Sequence, residues 1–176
     1  NIDIIIRAMA QLGRHDLQFA VAGKGSHLKA LQTLAADLGV DDGRVKFLGF
    51  VPDEDLARLL NSSDYFTMPS HAELQSIATL EAMSTGRPVL AADARALPEL
   101  VTHQQNGYLF TVGDVTDACQ GILYLIERQS EWAEMQRISL QKAEKHALHN
   151  TVRAYTQWYR HNAYQQETHS LQYQQS

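Results

Sequence analysis

One stretch of the sequence, from Tyr65 to Met83, constrains the fold more than any other. An apolar run that ends at Met68 predicts a short strand, and apolar residues at helical spacing follow at Ile77, Leu80 and Met83. The polar segment between these two patterns predicts a strand-to-helix loop. In an open α/β sheet such a loop lies at the carboxyl edge of the strands, where ligands bind.

Strand and helix patterns alternate along the rest of the chain. Strands are predicted at 17–22, 45–48, 65–68, 89–92 and 108–110, with helices between them and three further helices after Asp114. We expect Ser26 to cap the helix that ends near Leu38. Alternating strands and helices with short connections predict an α/β fold, namely a Rossmann-like parallel sheet with helices on both faces.

Composition limits the class of protein. The 176 residues carry a net charge of −5, which argues against a nucleic-acid-binding protein, since those usually have a basic surface. Cys119 is the single cysteine, so no internal disulfide can form; we expect a small buried helix residue and a reducing, cytoplasmic compartment. We predict one domain over residues 1–176, ending in a frayed polar tail at 163–176.

Two features of the central stretch point to an anionic ligand that carries hydroxyl groups. The backbone amides of residues 74–77 would face an anion, helped by the helix dipole. Glu81 has no Lys or Arg three or four positions away, so its carboxylate can accept hydrogen bonds from ribose hydroxyls. A solvated surface glutamate is the alternative interpretation from position alone.

Glu73 and Glu81 are separated by seven residues, and Gly86-Arg87-Pro88-Val89 follows them. This pattern resembles the Glu-x7-Glu segment of family-4-type retaining glycosyltransferases of the GT-B fold. The similarity extends to residues 21–25, 45–51, 97–101 and 106–110. The resemblance implies the carboxy-terminal, nucleotide-sugar-binding half of such an enzyme. Its first strand and its amino-terminal acceptor domain would lie outside this chain.

The resemblance also implies roles for single residues. Glu73 would be the catalytic residue, facing the hydroxyls of the donor sugar and stabilising oxocarbenium-like charge during retaining transfer. The donor would also contact Leu74, Gln75, Ser76, Ile77 and Glu81. The segment from Leu74 to Ile77 departs from the commoner glycine- and phenylalanine-containing loop. Gln75 and Ser76 would add side-chain donors there.

Two further segments would complete the donor site. Gly23-Lys24-Gly25 follows a strand, and its amides would approach a phosphate or the donor sugar, while Lys24 either adds charge near the diphosphate or stays solvated. The base would dock beside Phe50 and Val51, mainly through backbone groups, so UDP, GDP and ADP donors remain open. Phe50 as a core residue is the competing interpretation.

The implied function is transfer of a hexose from a UDP- or GDP-type sugar to an acceptor glycan, lipid or small molecule. No metal or other cofactor is expected, and His71 with Glu73 lacks a third ligand at suitable spacing. The fragment alone should be inactive. The alternatives are a GT-B sugar-nucleotide epimerase, a phosphorylase or a non-catalytic GT-B-like binding domain. We expect no transmembrane segment, and a parent enzyme that can attach peripherally to a membrane.

Overall fold

The computed structural model describes the backbone of residues 1–173 and the side chains of residues 1–161. The described strands are β1 (Phe19–Ala22), β2 (Val45–Gly49), β3 (Phe66–Met68), β4 (Val89–Ala92) and β5 (Gly107–Phe110). The described helices are α1 (Ile2–Leu12), α2 (Leu28–Asp37), α3 (Asp53–Asn61), α4 (Ile77–Ser84), α5 (Leu97–Leu100), α6 (Val115–Glu127), α7 (Trp132–Lys145) and α8 (Leu148–Tyr173). A short 3-10 turn, Gln129–Glu131, precedes α7.

The strands form two parallel sheets, named here the first and the second ladder. In the first ladder β1 pairs with β2, and in the second ladder β4 lies between β3 and β5. Parallel strands and intervening helices confirm the predicted α/β class. The sequence predicts one sheet, but no strand among the described residues hydrogen-bonds to both β1 and β3. The described strands therefore form two sheets, with a break between β1 and β3. The expected strand before Asn1 stays a prediction.

Helices cover both faces of the second ladder. All four residues of β4 are completely buried, whereas a strand covered on one face alternates between buried and exposed residues. α1 packs against α2 and α6, and α4 packs against α7. One apolar cluster joins these helices to both ladders, from Ile5 of α1 and Val45 of β2 to Phe110 of β5.

Capping residues define the start or end of two helices, but one predicted cap is wrong. Gly13 ends α1 in the left-handed conformation (φ 62°), and Asp114 caps α6 by accepting from the Thr116 and Asp117 amides at 2.8 and 3.0 Å. The predicted cap of α2 at Ser26 is wrong. The Leu28 amide donates to the Gly25 carbonyl at 3.2 Å, so residues 25–28 form a turn, and α2 begins at Leu28 with His27 in the cap position.

Cys119 is a small buried helix residue, as predicted. It is 5% exposed on α6, and its thiol donates to the Ala8 carbonyl of α1 at 3.6 Å. Burial raises the pKa of this thiol, which keeps it protonated and unreactive.

The last helix is longer than the predicted one at 150–161. α8 includes the backbone of residues 163–173 of the polar tail, and residues 174–176 lie outside the described part of the chain. In the described residues, no helix combines the length and apolar character needed to cross a membrane.

Candidate functional site

The loop between β3 and α4 presents a row of unpaired backbone amides. No hydrogen-bond acceptor is found among the described residues for the amides of residues 74–78. Leu74, Gln75 and Ile77 are exposed, and Leu74 reaches 86% exposure. Amides at a helix start lack intrahelical partners and carry the positive end of the helix dipole, so this segment is suited to an anion.

Ser76 fixes the start of α4 from within. Its buried hydroxyl accepts from the Thr79 amide at 3.4 Å and hydrogen-bonds to the Thr79 hydroxyl at 2.8 Å. The Ser76 hydroxyl is thus committed to the first turn, and its backbone amide is the group left for a ligand. Gln75 and Ser76 were both predicted to add side-chain donors, and of the two only the Gln75 side chain is exposed.

Glu73 lies at the other end of the same loop. It is half-buried, and its main-chain carbonyl accepts from the Ala96 amide at 3.3 Å. Ala96 belongs to the loop after β4 and immediately precedes α5. Glu73 is thereby held against the neighbouring strand-to-helix connection.

Glu81 is exposed in the middle of α4. Its carboxylate makes no hydrogen bond or ion pair in the part of the chain that the structure describes, whereas its main-chain carbonyl accepts from the Ser84 hydroxyl at 2.6 Å and from the Thr85 amide at 3.3 Å. The carboxylate is therefore available to accept hydrogen bonds from ligand hydroxyls, as the absence of a helical partner predicted.

The ends of β1 and β2 form a second group. The Gly23 amide donates to the Gly49 carbonyl at 2.6 Å. Gly23 has a φ of 135°, a backbone conformation that residues with a side chain rarely adopt. The Lys24 ammonium lies 5.3 Å from the centre of the Phe50 ring. Phe50 is 64% exposed, so its interpretation as a core residue is wrong.

Val51 is half-buried, whereas Gly25 is exposed. Because α2 begins only at Leu28, the segment 23–25 precedes a turn and is not itself the start of a helix.

The structure brings some of the predicted residues together and leaves others apart. Lys24 lies over the Phe50 ring, Gly23 bonds to Gly49, and residues 73–81 form one continuous loop and helix. No hydrogen bond or ring contact within the described residues joins the two groups. His71 hydrogen-bonds to the Asn1 side chain at 2.9 Å, which places the start of α1 beside the β3 loop.

The structure describes no group of three His, Cys, Asp or Glu side chains that could hold a metal ion. The hydrogen bond between Ala96 and Glu73 could not be predicted from the sequence. The two residues belong to different strand-to-helix loops, and neither carries a local signal for a contact across them.

Comparisons with known proteins identify the family. Residues 1–128 match the model of the Glycosyl transferases group 1 family. A D-inositol 3-phosphate glycosyltransferase of Saccharomonospora viridis is 31% identical over 169 residues, which are 90% of this chain and 39% of that protein. An uncharacterized glycosyltransferase of Methanocaldococcus jannaschii is 39% identical over 108 residues, 61% of this chain and 27% of that protein.

A solved structure agrees with these sequence relatives. The Anabaena protein HepE in complex with UDP-glucose is 32% identical and has a TM-score of 0.73, over 81% of this chain and 40% of HepE. The chain spans well under half the length of each of these three proteins. Since the family model covers 128 of its 176 residues and the architecture matches, the chain belongs to the group 1 glycosyl transferases.

Proposed function

We propose that this chain is the donor-binding part of a family-4-type retaining glycosyltransferase. The full protein transfers a hexose from a UDP-sugar to an acceptor. Another part of the protein holds that acceptor, and this chain alone binds donor without turning it over. The row of unpaired amides at residues 74–78, between Glu73 and Glu81, is the observation that carries this proposal.

Each group in this row has a role in donor binding. The amides and the dipole of α4 neutralise the diphosphate, so that no metal ion is needed. Glu81 accepts hydrogen bonds from the ribose hydroxyls. Glu73, which is half-buried and whose main-chain carbonyl bonds to the Ala96 amide, faces the sugar and stabilises positive charge at its anomeric carbon in the transition state.

The second group contributes the base subsite. Phe50 offers an exposed aromatic face at the end of β2, and Lys24 lies beside it. Uracil is the proposed base because the Anabaena structure, at 32% identity, is a complex with UDP-glucose. A GDP-sugar is the alternative donor that the experiment must exclude.

A titration followed by amide NMR tests the donor site. UDP-glucose, UDP, GDP and ADP are added in turn to the isotope-labelled 176-residue chain. We expect UDP-glucose to shift the amides of residues 23–25, 50–51 and 74–81, with UDP preferred to GDP and ADP. Shifts elsewhere only, or no shift with any nucleotide up to millimolar concentration, would contradict the proposal.

Retaining transfer needs a separate test on the full-length protein. The anomeric configuration of the product, read by proton NMR, should be the same as that of the donor sugar. Inverted product would exclude the retaining mechanism. An epimerised nucleotide sugar, phosphate-dependent cleavage or donor binding without any product would identify an epimerase, a phosphorylase or a non-catalytic binding domain.

A further inference from the structure

The short helix α5 links Glu73 to a distant part of the chain. The Ala96 amide, which holds the Glu73 carbonyl at 3.3 Å, immediately precedes α5, and Leu97 and Leu100 of this helix are 0% and 5% exposed. The hydrogen bond from the Ala96 amide fixes the backbone of Glu73. The position of α5 therefore determines the position from which the Glu73 side chain extends.

Lys142 of α7 holds the opposite end of α5. Its ammonium donates to the carbonyls of Leu100 and Glu99 at 2.9 and 3.2 Å. Carbonyls at the end of a helix lack intrahelical partners, and a cation there also offsets the negative end of the dipole. A helix of four residues has little stability of its own, so such outside contacts decide its position.

The end of α5 is also enclosed by a buried polar network. The Asn106 side-chain amide donates to the Leu100 carbonyl at 3.3 Å and to the Ser139 hydroxyl at 3.4 Å, and its oxygen accepts from the Thr102 amide at 2.7 Å. Asn106 and Ser139 are both fully buried. Lys142 is the charged member of this network. Burial, with the nearby Lys145, lowers the pKa of Lys142.

The helix that carries Lys142 also supports the other side of Glu73. α7 packs against α4, which begins just after the Glu73 loop. At the end of α4, a side chain added at Gly86 would lie 3.7 Å from Gln136 and Leu140 of α7. α7 therefore contacts both elements that flank Glu73.

We propose that Lys142 is a positioning residue for Glu73, acting through α5. Loss of its ammonium frees the end of α5, lets the Ala96 bond open and moves the Glu73 carboxylate away from the donor sugar. The role of Glu73 in this inference rests on the proposed function, whereas the coupling of Lys142 to Ala96 does not require a ligand.

The test compares Lys142→Met with Lys145→Met. Both variants remove one positive charge from the last turn of α7, but only Lys142 bonds to α5. Amide hydrogen exchange at Ala96 is measured by NMR on the unliganded chain. We expect exchange to be about tenfold faster in Lys142→Met and unchanged in Lys145→Met, and Lys142→Arg, which keeps a cationic donor, should restore slow exchange.

Binding separates positioning from a general loss of structure. In Lys142→Met the dissociation constant for UDP-glucose should rise severalfold, while that for UDP, which lacks the sugar, should stay the same. If both ligands weaken equally, or if Ala96 exchanges alike in the two Met variants, the inference is wrong.

Two outcomes keep the conclusions distinct. If UDP-glucose does not bind the unmodified chain, the proposed function fails, and Ala96 exchange alone decides whether Lys142 controls this bond. If Lys142→Met does not fold, Lys142→Gln, which lacks the ammonium and has a shorter polar side chain, replaces it, and exchange at Ala96 no faster than in Lys145→Met again overturns the inference.

Discussion

The two ladders differ in how deeply the strands beside the candidate site are buried. β4 of the second ladder is completely buried, and the Glu73 loop beside it is tied to α5. β1 of the first ladder exposes Ala20 and Ala22 to solvent, and at its end one backbone hydrogen bond joins Gly23 to Gly49.

This difference indicates that the two halves of the proposed site have different roles in binding. The buried half, which lies beside β4, carries Glu73, Glu81 and the loop amides, which must be held accurately because they would face the diphosphate and the reacting sugar. The exposed half, which lies beside β1, carries Lys24 and Phe50, which would face the base. We expect changes in the buried half to affect folding or sugar recognition, and changes in the exposed half to affect base recognition with little effect on folding.

The largest expected effect is on stability. A side chain at Gly107 would lie 1.9 Å from the Val89 carbonyl oxygen, so Gly107→Ala should disrupt the pairing of β4 with β5 and lower the free energy of unfolding by at least about 3 kcal/mol. Gly25→Ala is the matched control in the exposed half. No atom lies within 4 Å of the added carbon there, and the free energy of unfolding should change by less than about 0.5 kcal/mol.

Urea unfolding followed by circular dichroism measures both variants. Equal midpoints for Gly107→Ala and Gly25→Ala would contradict the difference in packing between the two halves.

The next effect concerns Glu81. Glu81→Ala should weaken UDP-glucose binding by roughly 1–3 kcal/mol, the scale of a lost hydrogen bond to a charged group. Because this carboxylate has no partner within the described residues, the substitution should not lower the melting temperature. Calorimetric titration measures the affinity, with Glu54→Ala on α3 as an exposed control. An unchanged dissociation constant would remove Glu81 from the ribose role.

A smaller effect is expected from Phe50. Phe50→Ala should weaken the binding of UDP and UDP-glucose equally, by about 1 kcal/mol, since a stacked base would lose its aromatic partner. The ring is 64% exposed, so stability should change little. Val112→Ala, at a residue 42% exposed after β5, controls for the loss of exposed apolar surface. A larger loss for UDP-glucose than for UDP would move Phe50 from the base to the sugar.

The smallest effect compares one carboxylate from each half. Burial raises the pKa of Asp117, but hydrogen bonds from Thr111 and Tyr108 outweigh it, so the pKa lies below its usual value. The hydrogen bond from Arg44 lowers the pKa of the exposed Asp42. A lowered pKa in the folded state means stabilisation that is present above about pH 4 and is lost as the pH falls through the folded-state value.

At pH 7 we expect Asp117→Asn to lower the free energy of unfolding by up to about 1 kcal/mol, and Asp42→Asn to lower it less, because salt and solvent screen an exposed pair. Urea midpoints at pH 7 and pH 3 measure the difference, which should shrink at the lower pH. A larger effect at Asp42 would reverse the comparison.

Much of the fold could be predicted because its determinants are local. The run of small and apolar residues in β4 predicts a strand buried on both faces, and Gly13 marks the end of α1. The unpaired state of Glu81 follows from the residues one helical turn away. The Ser26 cap failed because the turn at residues 25–28 also satisfies the local backbone, and spacing alone does not distinguish a turn from the first turn of a helix.

The sequence alone determined the α/β class, the order of the elements and the place of the loop between β3 and α4, because neighbours within four residues set helical and strand patterns. Only the tertiary structure decided that Phe50 is exposed, that Ala96 holds Glu73 and that Lys142 holds α5. These contacts join residues far apart in the chain, 42 positions in the case of Lys142 and Leu100. They form only when α4, α5 and α7 pack together, and no local pattern encodes them.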